Sequence, residues 1–161
     1  LQKLSSIFKI PKDATQHILN EFDHGFHEYA VPFQNAVDVL ELLKNEGIKI
    51  ACVNNGRDFF QKNKISALGF EPYFDVVVTS GGFGVKKPDH SIFKESLRLL
   101  GTDREITCSC GDSLLADVKP AKDLGFTTIW KSRTKSGLAD YTFENFDDFH
   151  SIWKDIAVKN I

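Results

Sequence analysis

The chain has no methionine, three cysteines, two tryptophans and five prolines in 161 residues, and its formal net charge is only -2. That balance supplies no field of one sign to gather nucleic acid or an anionic membrane over a distance, so any anion it binds is held by a local site. No apolar run approaches the ~20 residues that cross a bilayer, and the amino terminus lacks the charged, apolar and small-residue sections of a signal peptide. The expectation is a cytoplasmic protein with no membrane and no nucleic-acid partner. Cys52, Cys108 and Cys110 are an odd set inside apolar, strand-like segments, and read as reduced core residues rather than a disulfide framework. A zinc site wants about four ligands, and no His or Cys pair elsewhere matches Cys108 and Cys110. Internal repeats, low-complexity tracts and linkers rich in Pro, Gly or Ser are missing too, which argues against two complete domains.

What is present is a core. Hydrophobic residues make up 42% of the chain and aromatics 12%, enough for one globular domain. From about residue 36 helix-like and strand-like stretches alternate, and the strands are continuous apolar runs, as in a parallel sheet covered on both faces. Helices are predicted over 36–45, 58–68, 91–100 and 118–124, each closed by Gly47, Gly69, Gly101 or Gly125. Strands are predicted over 48–53, 74–79, 106–110 and 126–130, with 81–84 a flexible connection. Residues 143–156 read as a closing amphipathic helix with Phe146, Phe149, Ile152 and Trp153 on one face. Residues 1–30 are helical and amphipathic through Ile18, Leu19, Phe22 and Phe26, with no strand before Ile48. Such a segment needs something to pack on.

In open parallel sheets ligands sit beyond the carboxyl ends of the strands, and three of those loops carry chemistry. Asn54-Asn55-Gly56 precedes a helix amino terminus, a geometry suited to a phosphate, although an Asn-Gly pair is also ordinary turn chemistry. Lys87 precedes Pro88, which holds it extended, and Asp89 can cap the next helix; a lysine so held can neutralise phosphate charge, or it is a solvated surface residue. Asp112 leaves a strand tip and Asp117 sits at the expected cap of a helix starting near Val118, because Pro120 is tolerated only in a first turn. The pair can converge on a hard cation such as Mg2+, which takes few carboxylates and keeps several waters. Capping explains Asp117 equally well but gives Asp112 no reason. Lys86, Lys119, Arg57 and His90 read as surface charge.

Taken together and in this order, Val53-Asn54-Asn55-Gly56, Lys87-Pro88-Asp89 and Gly111-Asp112-Ser113 through Asp117 resemble the second, third and fourth motifs of the haloacid dehalogenase superfamily, helical-cap branch, over about residues 31–150. The resemblance implies a three-layer Rossmann-like α/β core over 31–161 and a remnant of a helical cap over 1–30. It implies a Mg2+-dependent phosphohydrolase of a small phosphorylated metabolite, with sugar phosphates, phosphoglycolate and nucleotides all open. Asn54 would stand where a Thr or Ser normally hydrogen-bonds the transferring phosphoryl group, with Asn55 and Gly56 adding donors. Lys87 and Asp112 would be catalytic, Lys87 also holding phosphate, and Asp112 and Asp117 would hold Mg2+. The first motif of that family, an Asp-x-Asp pair on a strand, has no match here. Its strand would lie between those predicted at 48–53 and 106–110. The expectation is therefore that the nucleophile belongs to a longer native chain, in keeping with a sequence that starts with Leu and has no Met. The alternatives are direct pairing of the two flanking strands, a strand borrowed in a homodimer, a nucleophile-less pseudoenzyme that acts as a binding module, or a signalling receiver. The last is disfavoured because Lys87 precedes both aspartates.

Overall fold

Short strands, all but the last following a helix, build the described part of the chain, residues 6–159 of a computed structural model. Helix α1 (Lys12–Gly25) runs into a 3-10 turn at Phe26–Tyr29. Of the amino-terminal segment, positions 1–5 lie outside the described residues. Helix α2 (Ala36–Asn45) occupies the range expected, and Gly47 closes it at φ 74°. Strand β1 is shorter than predicted, Ala51–Asn54, because Ile50 is spent on a register lock. Its N–H donates to Asp75 Oδ2 at 2.7 Å and its carbonyl accepts from the Asp75 N–H at 2.9 Å. The Ile50 N–H, with Lys44, holds the Asp75 carboxyl below its usual range.

Helix α3 (Asp58–Ala67) leads to β2 (Val76–Thr79), and α5 (His90–Leu100), capped by the Asp89 carboxylate on the Ser91 N–H, leads to β3 (Cys108–Gly111). Between β2 and α5 the expected flexible link is instead one helical turn, α4 (Ser80–Phe83), capped by Thr79. The glycine there serves closeness, not flexibility: a Cβ on Gly81 would meet Asp58 N and Gly56 O at 2.8 Å. Helix α6 (Lys119–Asp123) and β4 (Thr127–Lys131) follow. The predicted closing helix begins later than expected. Residues Tyr141–Phe143 form a strand, β5, then a 3-10 turn covers Phe146–Asp148, and helix α7 spans Phe149–Lys159. The alternation of a three-residue strand is too brief to separate from a helical face by spacing alone.

Every strand pairing is parallel, but the strands form two hydrogen-bonded groups rather than one sheet: β1 with β2, and β3 with β4 and β5. The edge of β1 away from β2 and that of β3 away from β4 have no strand partner among the described residues. Two apolar clusters cover the strands. One joins Ile129 and Phe143 to Val39 of α2 and to Phe149 and Ile156 of α7; the other joins Val78 to Ile92 and Phe93 of α5, Ala121 and Phe126. Ile92 and Ile129 are 0% and 1% exposed, and each such side chain contributes about 2 kcal/mol by leaving water. Helices thus lie on both faces, giving the three-layer α/β fold expected. The cysteines are free, and half-buried Cys108 packs against the first of these clusters, but Cys52 is only half-buried and Cys110 is exposed, so the reading of all three as core residues is corrected for Cys110. Among the described residues no helix is long and apolar enough to cross a membrane.

Candidate active site

The three loops singled out from the sequence meet at the carboxyl ends of β1 and β3, and Lys87 joins them. Its Nζ donates to the Val53 carbonyl at the tip of β1 at 2.8 Å and lies 2.6 Å from Asp117 Oδ1. Their side chains are 15% and 9% exposed, so this is a shielded ion pair rather than a surface one. Lys87 is therefore not the solvated loop lysine that was the plain alternative. The Lys87–Pro88 peptide is cis.

Asp117 arrives differently from the expectation that it caps a helix starting near Val118. After β3 the chain makes a π-helical turn over Leu114–Val118 that runs into α6, and the cap is Ser113, whose hydroxyl accepts from the Ala116 N–H at 3.1 Å. Asp117 sits inside the turn and reaches back, its Oδ2 accepting from the Ser113 N–H at 2.9 Å. The two residues satisfy each other's ends as in a capping box, with one residue more between them because the turn is wide. The extra residue is what brings Asp117 over the tip of β3. A Cβ on Gly111 would lie 2.4 Å from Asp117 Cβ, so only glycine fits beneath it. Asp117 Oδ1 is buried and, apart from the Lys87 charge, has no hydrogen-bond donor. Asp112 is exposed, and among the described residues its carboxylate has no hydrogen-bond or ion-pair partner. Its main chain is fixed from the side by Trp130, whose indole N–H donates to the Asp112 carbonyl at 3.0 Å.

The loop after β1 is arranged otherwise than for plain phosphate donation. The Asn54 amide donates to Cys52 Sγ at 3.1 Å, two residues back on the same strand face. The Gly56 N–H is taken by Ser80 Oγ at 2.9 Å, and the Gly56 carbonyl accepts from the Gly81 N–H at 2.8 Å. Gly56 is therefore already committed within the fold, contrary to its expected part as a donor. Asn55 uses both ends of its side chain on the main chain of Lys87. Asp58 accepts from Thr79 Oγ1 at 2.6 Å and pairs with Lys62, which together hold its carboxyl below the usual range, Lys62 contributing most. Thr79, Ser80, Asp58 and Trp130 were not singled out from the sequence. Thr79 ends a predicted strand and Ser80 follows it directly, the same positional signal that flagged the other loops.

Arg57, Lys119 and His90 behave as surface charge: Arg57 pairs with Asp23 of α1, and Lys119 and His90 face Asp123. No cluster of three or more His, Cys, Asp or Glu side chains able to hold a metal ion occurs among the described residues. The two carboxylates expected to hold one differ in their present partners. Asp112 has unused oxygens, and Asp117 keeps a buried oxygen short of donors, which suits a hard cation completed by waters and one further oxygen.

A parallel α/β protein with a shielded lysine–carboxylate centre at its strand tips is the class this arrangement defines. Residues 2–131 match the family of haloacid dehalogenase-like hydrolases, and the chain belongs to it. It is 33% identical over 131 residues to the glyceraldehyde 3-phosphate phosphatase of Methanocaldococcus jannaschii, an alignment covering 78% of this chain and 58% of that protein. It is 31% identical to the phosphoglycolate phosphatase of Aquifex aeolicus over 74% of this chain and 58% of that one. The crystal structure of a phosphatase of the same superfamily from Thermococcus onnurineus superposes with a TM-score of 0.73 at 26% identity, over 94% of this chain and 85% of that chain. The chain spans about half the length of the curated relatives it matches.

Proposed function

We propose that this chain is the phosphate-handling and metal-handling part of a phosphohydrolase that removes a phosphoryl group from a small phosphorylated metabolite. The observation that carries the reading is Lys87 Nζ, held 2.8 Å from the Val53 carbonyl and 2.6 Å from buried Asp117, with Asp112 unpartnered on the loop that carries Asp117. An ammonium fixed this way by two oxygens keeps a third N–H for a substrate oxygen. In a shielded site it opposes the charge that builds on the transferring group and its nucleophile, and it needs no reorganisation to do so. Asp112 and Asp117 would hold Mg2+, which when bound supplies Lewis-acid polarisation of a phosphoryl oxygen. Asn54, whose amide now donates to Cys52, would turn it to a phosphate oxygen.

The nucleophile in this reading is an aspartate outside the sequence given, on a strand that enters between the open edges of β1 and β3. Burying those edges without a partner would leave backbone donors and acceptors unsatisfied, which is the physical argument for such a strand. Residues 1–30 would then be the last part of a helical cap. The relatives act on glyceraldehyde 3-phosphate and phosphoglycolate, so a short phosphorylated carbon skeleton is the substrate class we favour.

The test is release of inorganic phosphate by full-length protein with Mg2+ from a panel of phosphomonoesters that includes both compounds. Turnover that chelation abolishes, and that Lys87→Ala lowers by at least about 100-fold, is the expected result. Silence across the panel would refute the phosphatase. Phosphate binding in that silence would mark the second reading, a binding module without a nucleophile.

A further inference from the structure

The side chain of Asn55 forms a closed two-point bridge with the main chain of Lys87. Its Nδ2 donates to the Lys87 carbonyl at 3.0 Å, and its Oδ1 accepts from the Lys87 N–H at 2.8 Å. An amide side chain meets a peptide in this way as one strand meets another, and both polar groups of the Lys87 backbone are used. Asn55 is itself held from behind, because the next residue, Gly56, is stapled on both sides to Ser80 and Gly81. The loop that carries Lys87 is otherwise lightly anchored: Gly84 starts it in a left-handed conformation, and the Asp89 N–H returns to the Lys86 carbonyl at 3.1 Å.

We infer that Asn55 is a positioning residue for Lys87, and that its side chain does not bind phosphate itself. The inference rests on the phosphohydrolase reading above. The stem of Lys87 runs from a Cα that Asn55 fixes to an Nζ that must sit between Val53 and Asp117, so a shift at the Cα is passed to the ammonium. The bridge is solvent-exposed, and water replaces both bonds when it is lost, so its removal costs stability little. Misplacing a catalytic group by ~1 Å, in contrast, costs about 100-fold in rate. A residue that only stabilised the fold would show the reverse. A direct phosphate ligand would weaken substrate binding first.

The experiment compares wild-type full-length protein, Asn55→Ala, Lys87→Ala and the double variant, on whichever phosphomonoester of the panel wild type turns over fastest. The expected result for Asn55→Ala is kcat lower by about 100-fold with KM within about 3-fold, and no further loss in the Lys87→Ala background, since residues acting as one unit are not additive. In parallel, NMR hydrogen exchange of the Lys87 amide should quicken at least about 10-fold in Asn55→Ala, while the Asp89 amide, which bonds within its own loop, stays unchanged. A raised KM with intact kcat, an additive loss in the double variant, or an unchanged Lys87 exchange rate would each overturn the inference. Wild type that hydrolyses nothing would remove the phosphohydrolase reading, and the Lys87 amide would still decide whether Asn55 holds that residue.

Discussion

Helices α1 and α7 carry the same kind of apolar face, yet one is built into the core and the other lies on it. Phe149 and Ile156 of α7 are 4% and 2% exposed, and Phe149 meets Phe143 of β5 edge-on at 5.7 Å. Along α1 only Thr15 is buried, while Ile18 and Phe22 are both 44% exposed. Its hold on the core is an aromatic stack, Phe22 and Phe26 each 5.5 Å from the Phe60 ring of α3, with Arg57 and Lys64 also 5.5 Å from that ring and the Arg57–Asp23 pair beside it. The difference teaches that an apolar face specifies what a helix can bury, and the partner surface decides what it does bury. Helix α7 is offered a sheet edge extended by β5, whereas α1 is offered the flank of one other helix.

The comparison can be broken most forcefully from the α7 side. Phe149→Ala should destabilise the protein by about 3–5 kcal/mol, the range for emptying an aromatic site in a close-packed core, read as a lower midpoint in chemical denaturation at unchanged slope. An effect under about 1 kcal/mol would mean that α7 is docked no better than α1.

A smaller effect should come from the seat of β5. Asp140 accepts from the Thr128 N–H at 2.9 Å and hydroxyl at 2.8 Å and pairs with Lys122. Burial pushes its carboxyl up, but Lys122 and Thr128 outweigh that and hold it below the usual range. Because the folded value is the lower one, this stabilisation is full above the ordinary Asp pKa of about 3.9 and is lost as pH falls through the folded value. Asp140→Asn should cost about 1–2 kcal/mol at pH 7, and the gap from wild type should close below about pH 4, as urea titrations at several pH values would show. A gap that stayed constant with pH would assign the effect to packing.

The smallest effect is expected at α1. Phe60→Ala should lower global stability by no more than about 1.5 kcal/mol, because the ring pairs it removes are worth about 0.5–1.5 kcal/mol each and lie half in water. Amide exchange in α1 should quicken well before exchange in α7 changes. Equal acceleration in both helices would show that the amino-terminal segment and the core unfold as one unit.

Much of this arrangement was legible beforehand because it is local. Helix α2 was placed to the residue, and the ends of α3 and α5 within one, since glycine turns at Gly47, Gly69 and Gly101 and the Asp89 cap are written in neighbouring letters. Strand β5 was not, because three residues leave no period to read. The chemistry-bearing loops were legible as types and positions, Lys87 and Asp117 each following a predicted strand, but the approach of these two to 2.6 Å was not. The free role given to Gly56 failed, because its N–H is claimed by Ser80, a residue 24 positions away.

By itself, then, the sequence determined the alternation of helix and strand, the parallel α/β class, and the three strand-tip loops, all set by hydrophobic spacing and by residues with restricted backbones. Only the tertiary structure decided what those loops do to one another. It set Asp117 inside a wide turn over Gly111, gave the Asn55 amide to the Lys87 backbone, and split the strands into two groups with facing roles at one site. The Asn55 bridge and the strand grouping depend on close approach between segments far apart in the chain, which no local pattern carries, and the seat of Asp117 over nearby Gly111 depends on a turn width that residue spacing does not fix.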